Sequence, residues 1–332
     1  MTRTTPPRPL DVASAFPELR PLARRAVRLH PRRGRPTRSE SSVGGPLLWP
    51  VDEDWPVCTA THGGWDKPVS LEDVRRRRAL LEQAWLRPRP PGQNLLSAEE
   101  AALLASLEEG HTRHAGPNAL LPVAQLYLRD VPGLTGPEGA DVLQVLWCPL
   151  DHVETSMPAA HLVWRASADV VDPLDVPPEP ADVDRDGSYV PEPCAVHPEV
   201  VTEHPSPLEL PAGLADRLHE WSSTANSHYQ HELSVAPGWK VGGWAPWSFC
   251  DPQPMRCTAC DAELEPLLTI SSGEWDGGSG SWVPVEDRTP HAGPMGLREP
   301  SNPPMVLIGR GYSMQIYRCP ESSDHPVLEN MQ

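Results

Sequence analysis

The chain repeats two landmarks in the same order, and this constrains its fold more than any other feature. The Val-Gly-Gly of 43–45 recurs at 241–243, and tryptophan and proline follow each copy within a few residues. The apolar run LQVLWCP of 143–149 recurs as MQIYRCP at 314–320. Because cysteine and then an apolar run lie between the landmarks in both copies, we expect an internal duplication.

The high proline content argues against a mostly helical fold. Proline accounts for 43 of the 332 residues, well above the average of about 5%, and it lacks the backbone N–H that a helix interior needs. Hydrophobic residues make up 39% of the chain, which is enough for a packed core. We therefore expect an α+β protein of two duplicated, β-rich halves that face one another, with short helices and long ordered loops.

Shifts in composition divide the chain into four regions. An arginine- and proline-rich arm with a helix covers 1–39, and the first half covers 40–171 with a two-helix insertion. Residues 172–212 are rich in proline and acidic residues, which is typical of a connection rather than a domain. The second half covers 213–332 and contains a Cys-x-x-Cys motif.

Capping residues and apolar runs indicate the helices and strands. Residues 70–86 begin with Ser-x-x-Asp and 97–110 begin with Ser-x-x-Glu, both typical of helix N-termini. In the arm, 1–10 is predicted to be disordered and 11–29 to be a helix interrupted by Pro21. The other predicted elements are a helix at 213–224 and strands at 121–133, 140–150, 161–171, 264–270 and 311–320.

The cysteines of the second half predict a structural zinc site. Two residues separate Cys257 from Cys260, so both sulfurs can bind one Zn²⁺ at about 2.3 Å. The two cysteines supply two of the four ligands that a tetrahedral zinc ion needs. The repeat indicates Cys319 as the third ligand. His325 follows six positions later and would complete a Cys₃His set.

The first half contains a counterpart of this pattern. Cys58 and His62 are four residues apart, as are Cys148 and His152, and the two pairs lie at corresponding places in the repeat. Together they form a Cys₂His₂ set suited to a second zinc ion. The alternative is that Cys58 and Cys148 are small apolar residues packed in the core.

Other cysteines leave alternatives open. Cys194 and His197 form a third pair that could replace a first-half ligand or lie in a solvated loop. Cys250 could compete with His325, although its surroundings are typical of a buried strand. A thioredoxin-type redox role for the Cys-x-x-Cys motif is disfavoured, because such motifs precede a helix whereas this one precedes a strand.

Two glutamines occupy the equivalent apolar strands of the repeat. Gln144 and Gln315 are expected either to pair with the backbone of a loop or to line a groove shared by the two halves. Trp244 and Trp247 follow the second Gly-Gly and are the other candidates for groove residues. Such a groove would bind a protein or a peptide.

The charge of the chain limits its partners. The net charge is −17, which argues against non-specific binding to nucleic-acid phosphates and favours a basic protein or peptide. Ten arginines lie within 1–38. This start is interpreted as a solvated arm with an amphipathic helix, or as an arm that contacts nucleic acid or folds back onto the acidic body.

Sequence features also bear on localisation. No stretch approaches the roughly 18 apolar residues needed to cross a bilayer, and the first residues lack the apolar core of a signal peptide. We therefore expect a cytoplasmic protein. In that compartment seven cysteines favour metal binding or simple burial over disulfides.

No recognised catalytic motif stands out in the sequence. The phosphate-binding patterns GxGxxG and GxxxxGK[ST] are absent, as are His-Glu-x-x-His and Gly-x-Ser-x-Gly. No catalytic residue is therefore nominated. A zinc-dependent hydrolase with an open metal position is kept as the alternative function.

Taken together, these segments resemble a known family. The Val-Gly-Gly segments, the LQVLWC strand and the duplicated layout resemble the YwqG-like family of bacterial proteins of unknown function. The stretches LSVAPGWKVGGW, EWDGGSGSW, GRGYSMQIYRCPESSDHP and DVLQVLWCPLDH are similar to those of its longer actinobacterial members. The resemblance covers roughly residues 40 to 330 and leaves the arginine-rich start unexplained.

The resemblance implies a binding function. The YwqG-like family is similar to the eukaryotic programmed-cell-death-protein-two group, whose members are dedicated chaperones of a basic ribosomal protein. Those proteins carry cysteines near the strands that match Cys257, Cys260 and Cys319 here. Some bacterial relatives are encoded beside polymorphic toxins, which suggests an immunity role. We therefore expect a non-enzymatic, zinc-containing, protein-binding module of the chaperone-like or toxin-immunity type.

Overall fold

Two antiparallel sheets of six strands form the body of the protein. In the computed structural model, residues 2–63, 67–288 and 300–332 are described. The strands are β1 (Arg24–Arg28), β2 (Arg32–Arg33), β3 (Ser42–Val43), β4 (Val57–Cys58), β5 (Asn118–Ala119), β6 (Leu121–Tyr127), β7 (Val142–Trp147), β8 (Ala160–Arg165), β9 (Cys194–Ala195), β10 (Glu199–Glu203), β11 (Lys240–Gly242), β12 (Glu265–Ser271), β13 (Ser313–Arg318) and β14 (Leu328–Met331). The α-helices are α1 (Val12–Ala15), α2 (Leu71–Leu86), α3 (Ala98–Leu107) and α4 (Ala212–Ala225). This mixture of helices and antiparallel sheets confirms the predicted α+β class.

The two large sheets have the same arrangement of strands. The first-half sheet has the order β2-β9-β3-β6-β7-β8, and the second-half sheet has the order β10-β1-β11-β12-β13-β14. Val43 pairs with β6 as Val241 pairs with β12. The register shifts directly after Pro122 in β6 and directly after Pro266 in β12. The strand that carries the Val-Gly-Gly landmark and the three strands beyond it in the sheet order are thus equivalent between the sheets: β3-β6-β7-β8 corresponds to β11-β12-β13-β14.

A two-stranded ribbon connects the sheets. Residues 24–28 pair antiparallel with 199–203, and 32–33 pair with 194–195 in the same register. Between these two ladders the His197 N–H donates to the Leu29 carbonyl. One end of the ribbon, β1 with β10, belongs to the second-half sheet, and the other end, β2 with β9, belongs to the first-half sheet. Each partner therefore contributes a strand to both sheets.

The predicted N-terminal helix is wrong. Residues 11–29 contain only the four-residue α1, a 3₁₀ turn at Pro17–Leu22 and then strand β1. Pro17 and Pro21 remove helix donors, and the following segment gains more from its pairing with β10 and β11 than from local helix formation.

Residues 2–10 are also ordered, contrary to the prediction of disorder for 1–10, of which Met1 lies outside the described residues. The Thr4 N–H donates to the Glu286 carboxylate at 2.9 Å, and the Thr5 N–H donates to the Glu199 carboxylate at 2.8 Å. The Arg8 guanidinium lies over the Trp282 ring, 3.5 Å from its centroid. The arginine-rich start therefore folds back onto the acidic second half, as one of the alternatives held.

The segment 172–212 is more than a connection. It supplies β9 to the first-half sheet and β10 to the second-half sheet. The sequence did not reveal these strands, because β9 has two residues and β10 places adjacent valines, Val200 and Val201, at an exposed and a half-buried position. The boundaries drawn between halves therefore cut through elements that the halves share.

The three longer helices agree with their predicted starts. Ser70 caps α2 through the Asp73 N–H, and Ser97 with Glu100 forms the capping box of α3. Asn226, with φ of 52°, ends α4 in the left-handed conformation. Within the described residues, every helix falls short of the length and apolarity that a membrane span requires.

A single apolar cluster joins the two sheets. It contains Val43 and Val145 from the first-half sheet together with Ile270 and Ile316 from the second-half sheet. The inner faces of the sheets therefore pack into one shared core, and the ribbon covers one side of it with Val27 and Leu29.

Gly243 provides a test of how closely the second Gly-Gly packs against the ribbon. Its φ is +75°, and a Cβ there would clash with the Glu203 carboxylate and lie 2.7 Å from the Ala26 Cβ. We expect Gly243→Ala to lower the free energy of unfolding by about 1–3 kcal/mol more than backbone strain alone. Gly133→Ala is the matched control, because its φ is +89° and no atom lies within 4 Å of the added Cβ. If urea unfolding shows that Gly243→Ala and Gly133→Ala lower the free energy of unfolding equally, the close packing of Gly243 is contradicted.

Candidate metal centres

Four side chains of the second half converge beside the end of β13, and we call them the second cluster: Cys257, Cys260, Cys319 and His325. The Cys257 N–H donates to the Ala262 carbonyl, and the Asp261 N–H donates back to the Cys257 carbonyl. Asp261 has a φ of 61°, which closes a tight turn. This turn brings both sulfurs of the Cys-x-x-Cys motif to one side.

The spacing of donor atoms in the second cluster suits a tetrahedral ion. His325 Nδ1 lies 3.6 Å from Cys257 Sγ and 3.3 Å from Cys319 Sγ. The sulfurs of Cys260 and Cys319 are 3.5 Å apart, and all four donor atoms lie within 4.8 Å of one another. Bonds of about 2.1–2.3 Å at tetrahedral angles separate ligand atoms by about 3.4–3.8 Å. The residues therefore fit zinc.

The polypeptide around Cys257 favours its thiolate form. Burial opposes ionisation, but the backbone N–H groups of Ala259 and Cys260 donate toward the sulfur and hold the pKa of the Cys257 thiol below its ordinary value. Thiolate is the form that binds a metal ion. The turn thus prepares a ligand as well as positioning it.

Four side chains of the first half form an analogous group, which we call the first cluster: Cys58, His62, Cys148 and His152. Cys58 ends β4, Cys148 directly follows β7, and the backbones of His62 and His152 pair in an antiparallel bridge. The cluster therefore ties the small β4–β5 pair to the end of the first-half sheet.

The donor atoms of the first cluster are equally close. Cys58 Sγ lies 3.4 Å from Nε2 of His62 and 3.4 Å from Nε2 of His152. His62 Nε2 is also 3.1 Å from Cys148 Sγ. On the other side of its ring, His152 Nδ1 faces the Met157 carbonyl at 3.3 Å. A hydrogen bond there leaves Nε2 as the metal-binding nitrogen.

The surroundings of the first cluster affect two pKa values. Burial, followed by the neighbouring His152 and Arg113, lowers the pKa of His62, which favours the neutral imidazole that binds metal. Burial, and then the nearby Cys58, raises the pKa of the Cys148 thiol to about 12. A bound cation would reverse the second effect, because it stabilises the thiolate.

Sequence reasoning did not single out Arg113, which supports this cluster. Its guanidinium donates to the carbonyl oxygens of His62 and Gly63 at 2.9 and 3.1 Å. Arg113 lies in a loop between α3 and β5, where no local pattern connects it with a cysteine.

The two clusters occupy equivalent places in the two sheets. In each, one ligand directly follows the strand that carries the glutamine, and another comes from the segment after the Val-Gly-Gly landmark. The single difference in ligand type is a histidine in the first cluster where the second has a cysteine. The corresponding positions are Cys58 with Cys257, His62 with Cys260, Cys148 with Cys319 and His152 with His325.

The alternative cysteine ligands lie elsewhere. Cys194 is fully buried in the shared core, where burial raises its pKa to about 12. The Cys250 sulfur accepts a hydrogen bond from the Gln332 amide at 3.1 Å. His197 belongs to the ribbon, through its N–H bond to Leu29. Neither cluster contains these three residues.

The two glutamines do not line a groove. Gln144 and Gln315 are both 0% exposed. Gln144 donates to the Leu48 carbonyl at 2.7 Å, which is the loop-backbone pairing held as the alternative. Gln315 donates to the Leu268 carbonyl at 3.1 Å and accepts from the Thr269 hydroxyl. Buried amides require such partners. Gln144 finds one in a loop carbonyl, whereas the partners of Gln315 lie inside its own sheet.

The two tryptophans differ in their surroundings. Trp244 is half-buried, and its indole N–H donates to the Leu22 carbonyl while the Arg24 guanidinium covers its ring. Trp247 is buried and lines a cavity of about 260 Å³ together with Gln332. Of the two tryptophans, Trp247 therefore borders this cavity.

Loss of the second cluster is directly testable. We expect the Cys257→Ser, Cys260→Ser double variant to lose one zinc ion per chain and to show a lower melting temperature, because structural zinc contributes folding free energy. Metal content by mass spectrometry and thermal unfolding measure the two effects. Cys250→Ser is the control, since Cys250 is half-buried and lies outside the cluster. Unchanged zinc content in the double variant would contradict the site.

The first cluster should bind its metal independently. We expect Cys58→Ser to remove one zinc ion, and its combination with the double variant to remove two, because the clusters share no ligand. His219→Ala, on the exposed face of α4, should leave the metal content unchanged. If Cys58→Ser retains the full metal content, Cys58 and Cys148 are core residues and the first cluster holds no metal.

Comparisons with known proteins provide no information about the two clusters. The chain matches no protein-family model, and no curated protein is significantly similar to it. The resemblance to the YwqG-like family remains a prediction from the motifs. The metal assignment rests on the eight donor atoms and their spacing.

Proposed function

We propose that this protein is a non-enzymatic, zinc-containing, protein-binding module of the chaperone-like or toxin-immunity type. The observation that carries the proposal is that each cluster brings together four protein ligands. Four ligands complete a tetrahedral zinc ion, and closed sites of this kind stabilise folds rather than catalyse reactions. One or two structural zinc ions per chain are proposed.

The alternative of a zinc hydrolase receives less support from this arrangement. A catalytic zinc ion has three protein ligands and keeps one position for water or substrate. Here Cys260 and His62 occupy the fourth positions of their clusters. Loss of a ligand should therefore reduce stability rather than abolish a reaction.

Internal duplication is part of the proposal. It is supported by the shared strand order of the two sheets, by the register shift that follows proline in both, and by the equivalent clusters. A duplicated architecture of this kind is also what the resemblance to the YwqG-like family implies, and on this basis we propose that the chain belongs to that family.

The charge supports a basic protein partner in the cytoplasm. The net charge of −17 attracts a basic protein and speeds its encounter with the acidic surface. Much of the basic N-terminal segment is already engaged by the protein itself, for example Arg3 with Asp287 and Arg32 with Glu274. The remaining acidic surface is then available for a partner.

A pull-down from the native cytoplasm tests the proposal. At about 50 mM salt we expect the zinc-loaded protein to retain a basic partner, and salt of about 0.5 M to release it because surface charges are screened. Bound proteins are identified by mass spectrometry, and affinity of the purified partner is measured by calorimetry.

The control separates binding from general charge effects. An unrelated protein of similar net charge, immobilised at the same density, should not retain the same partner. If the zinc-loaded protein retains no partner beyond this control at low salt, the binding function is wrong. Recovery of a hydrolytic activity that disappears with Cys257 would favour the alternative.

A further inference from the structure

A groove of about 720 Å³ lies between the two sheets, at the side opposite the ribbon. One wall is the edge strand β8, with Leu162 and Trp164. The other wall is the segment 318–327, which joins β13 to β14. The groove is a surface feature separate from the interiors of the two clusters and of the core shared by the sheets.

The backbone of β8 presents hydrogen-bonding groups to the groove. The Ala159 carbonyl points toward β7, because it accepts from the Cys148 N–H. The next residue, Ala160, points its N–H the other way and donates to the Glu329 carboxylate at 2.9 Å. Because direction alternates along a regular strand, Leu162 and Trp164 also direct their amides away from β7. Within the described residues, no strand pairs with this side of β8.

The side chains on the groove wall are apolar and incompletely covered. Leu162 and Trp164 are partly buried against the shared core. A Cβ at Gly136 would lie 2.7 Å from the Trp164 ring, so one part of this ring is already covered by the connection between β6 and β7. Val327 borders the groove from the opposite wall and is also partly buried. The core thus reaches solvent here, and an added strand would cover it.

The charges that line the groove favour a basic occupant. Glu265, Glu321 and Asp324 contribute three carboxylates. Arg318 is the arginine among the lining residues, and it already lies 3.8 Å from Glu265 and donates to Thr135. A peptide with lysine or arginine beside apolar residues would satisfy both the charge and the apolar wall.

The second cluster holds one wall of the groove in place. Cys319 and His325 enclose the segment 320–324, and both ligands also border the groove. A metal ion at the second cluster would therefore fix the acidic wall opposite β8.

We propose that this groove binds an extended, basic segment of another protein, which adds as a strand to the edge of β8. The inference rests on the proposed binding function and assigns it a surface and a kind of partner. The segment pairs with the backbones of Leu162 and Trp164, places alternate side chains against the apolar wall and directs basic side chains to Glu321 and Asp324.

The probe is a synthetic, fluorescently labelled peptide of about nine residues that alternates lysine and valine. We expect saturable binding to the zinc-loaded protein by fluorescence anisotropy, weaker binding at higher salt, and no binding of the corresponding glutamate–valine peptide. If the lysine–valine peptide fails to saturate the protein, or binds no better than its acidic counterpart, the proposal is wrong.

Leu162→Pro separates backbone pairing from side-chain contact. Proline removes the outward N–H and is tolerated where that group faces away from the sheet, so the fold and zinc content should be retained. Leu162→Ala removes the same side chain and keeps the N–H. We expect the proline variant to bind the peptide at least about tenfold more weakly than the alanine variant. Equal affinities would exclude strand addition at this position.

Amide hydrogen exchange on the unaltered protein gives an independent readout. Peptide binding should slow exchange at Leu162 and Trp164, whereas Val163, whose N–H points toward β7, should change little. Saturable binding without slower exchange at Leu162 and Trp164 would place the peptide elsewhere and overturn the proposal.

Failure of the groove assignment can be distinguished experimentally from failure of the proposed binding function. A natural partner that binds Leu162→Pro as tightly as the unaltered protein would overturn the groove assignment and leave the binding function standing. A pull-down that yields no partner would overturn the binding function itself, whatever the synthetic peptide does.

Discussion

The pairing of 24–33 with 194–203 is the contact on which both sheets depend. Strand β1 lies between β10 and β11, and β9 lies between β2 and β3, so the ribbon supplies in each sheet a strand that borders the Val-Gly-Gly strand. The ribbon also adds Val27 and Leu29 to the core that the two sheets share. The halves are therefore equivalent in layout but not separable, because each is completed by segments that also complete the other.

Metal binding suits a chain that is rich in proline. Prolines leave loops with fewer backbone hydrogen bonds, and the segments around both clusters contain them, such as Pro56, Pro149, Pro320 and Pro326. A tetrahedral ion at each cluster would supply the missing constraint by joining segments distant in sequence. The clusters lie at the ends of β7 and β13, opposite in each sheet to the ribbon, so each sheet would be held at both sides.

The sequence predicted local features well and distant pairings poorly. The starts of α2 and α3 followed from their capping residues, and the ligand sets followed from spacing combined with the repeat. Strand β1 was mistaken for a helix because its arginines and alanine are compatible with one, while its partners lie far away in sequence. The groove had no local signal, since it arises where β8 and the segment after β13 meet.

The ribbon also has a consequence for the kinetics of folding. Strand β1 is synthesised early, but its neighbours β10 and β11 emerge only after most of the first half has been made. During this interval its apolar residues and strand edge have no native partner. Contacts of such long sequence separation form slowly, so the nascent chain would remain open to aggregation until β10 and β11 have emerged.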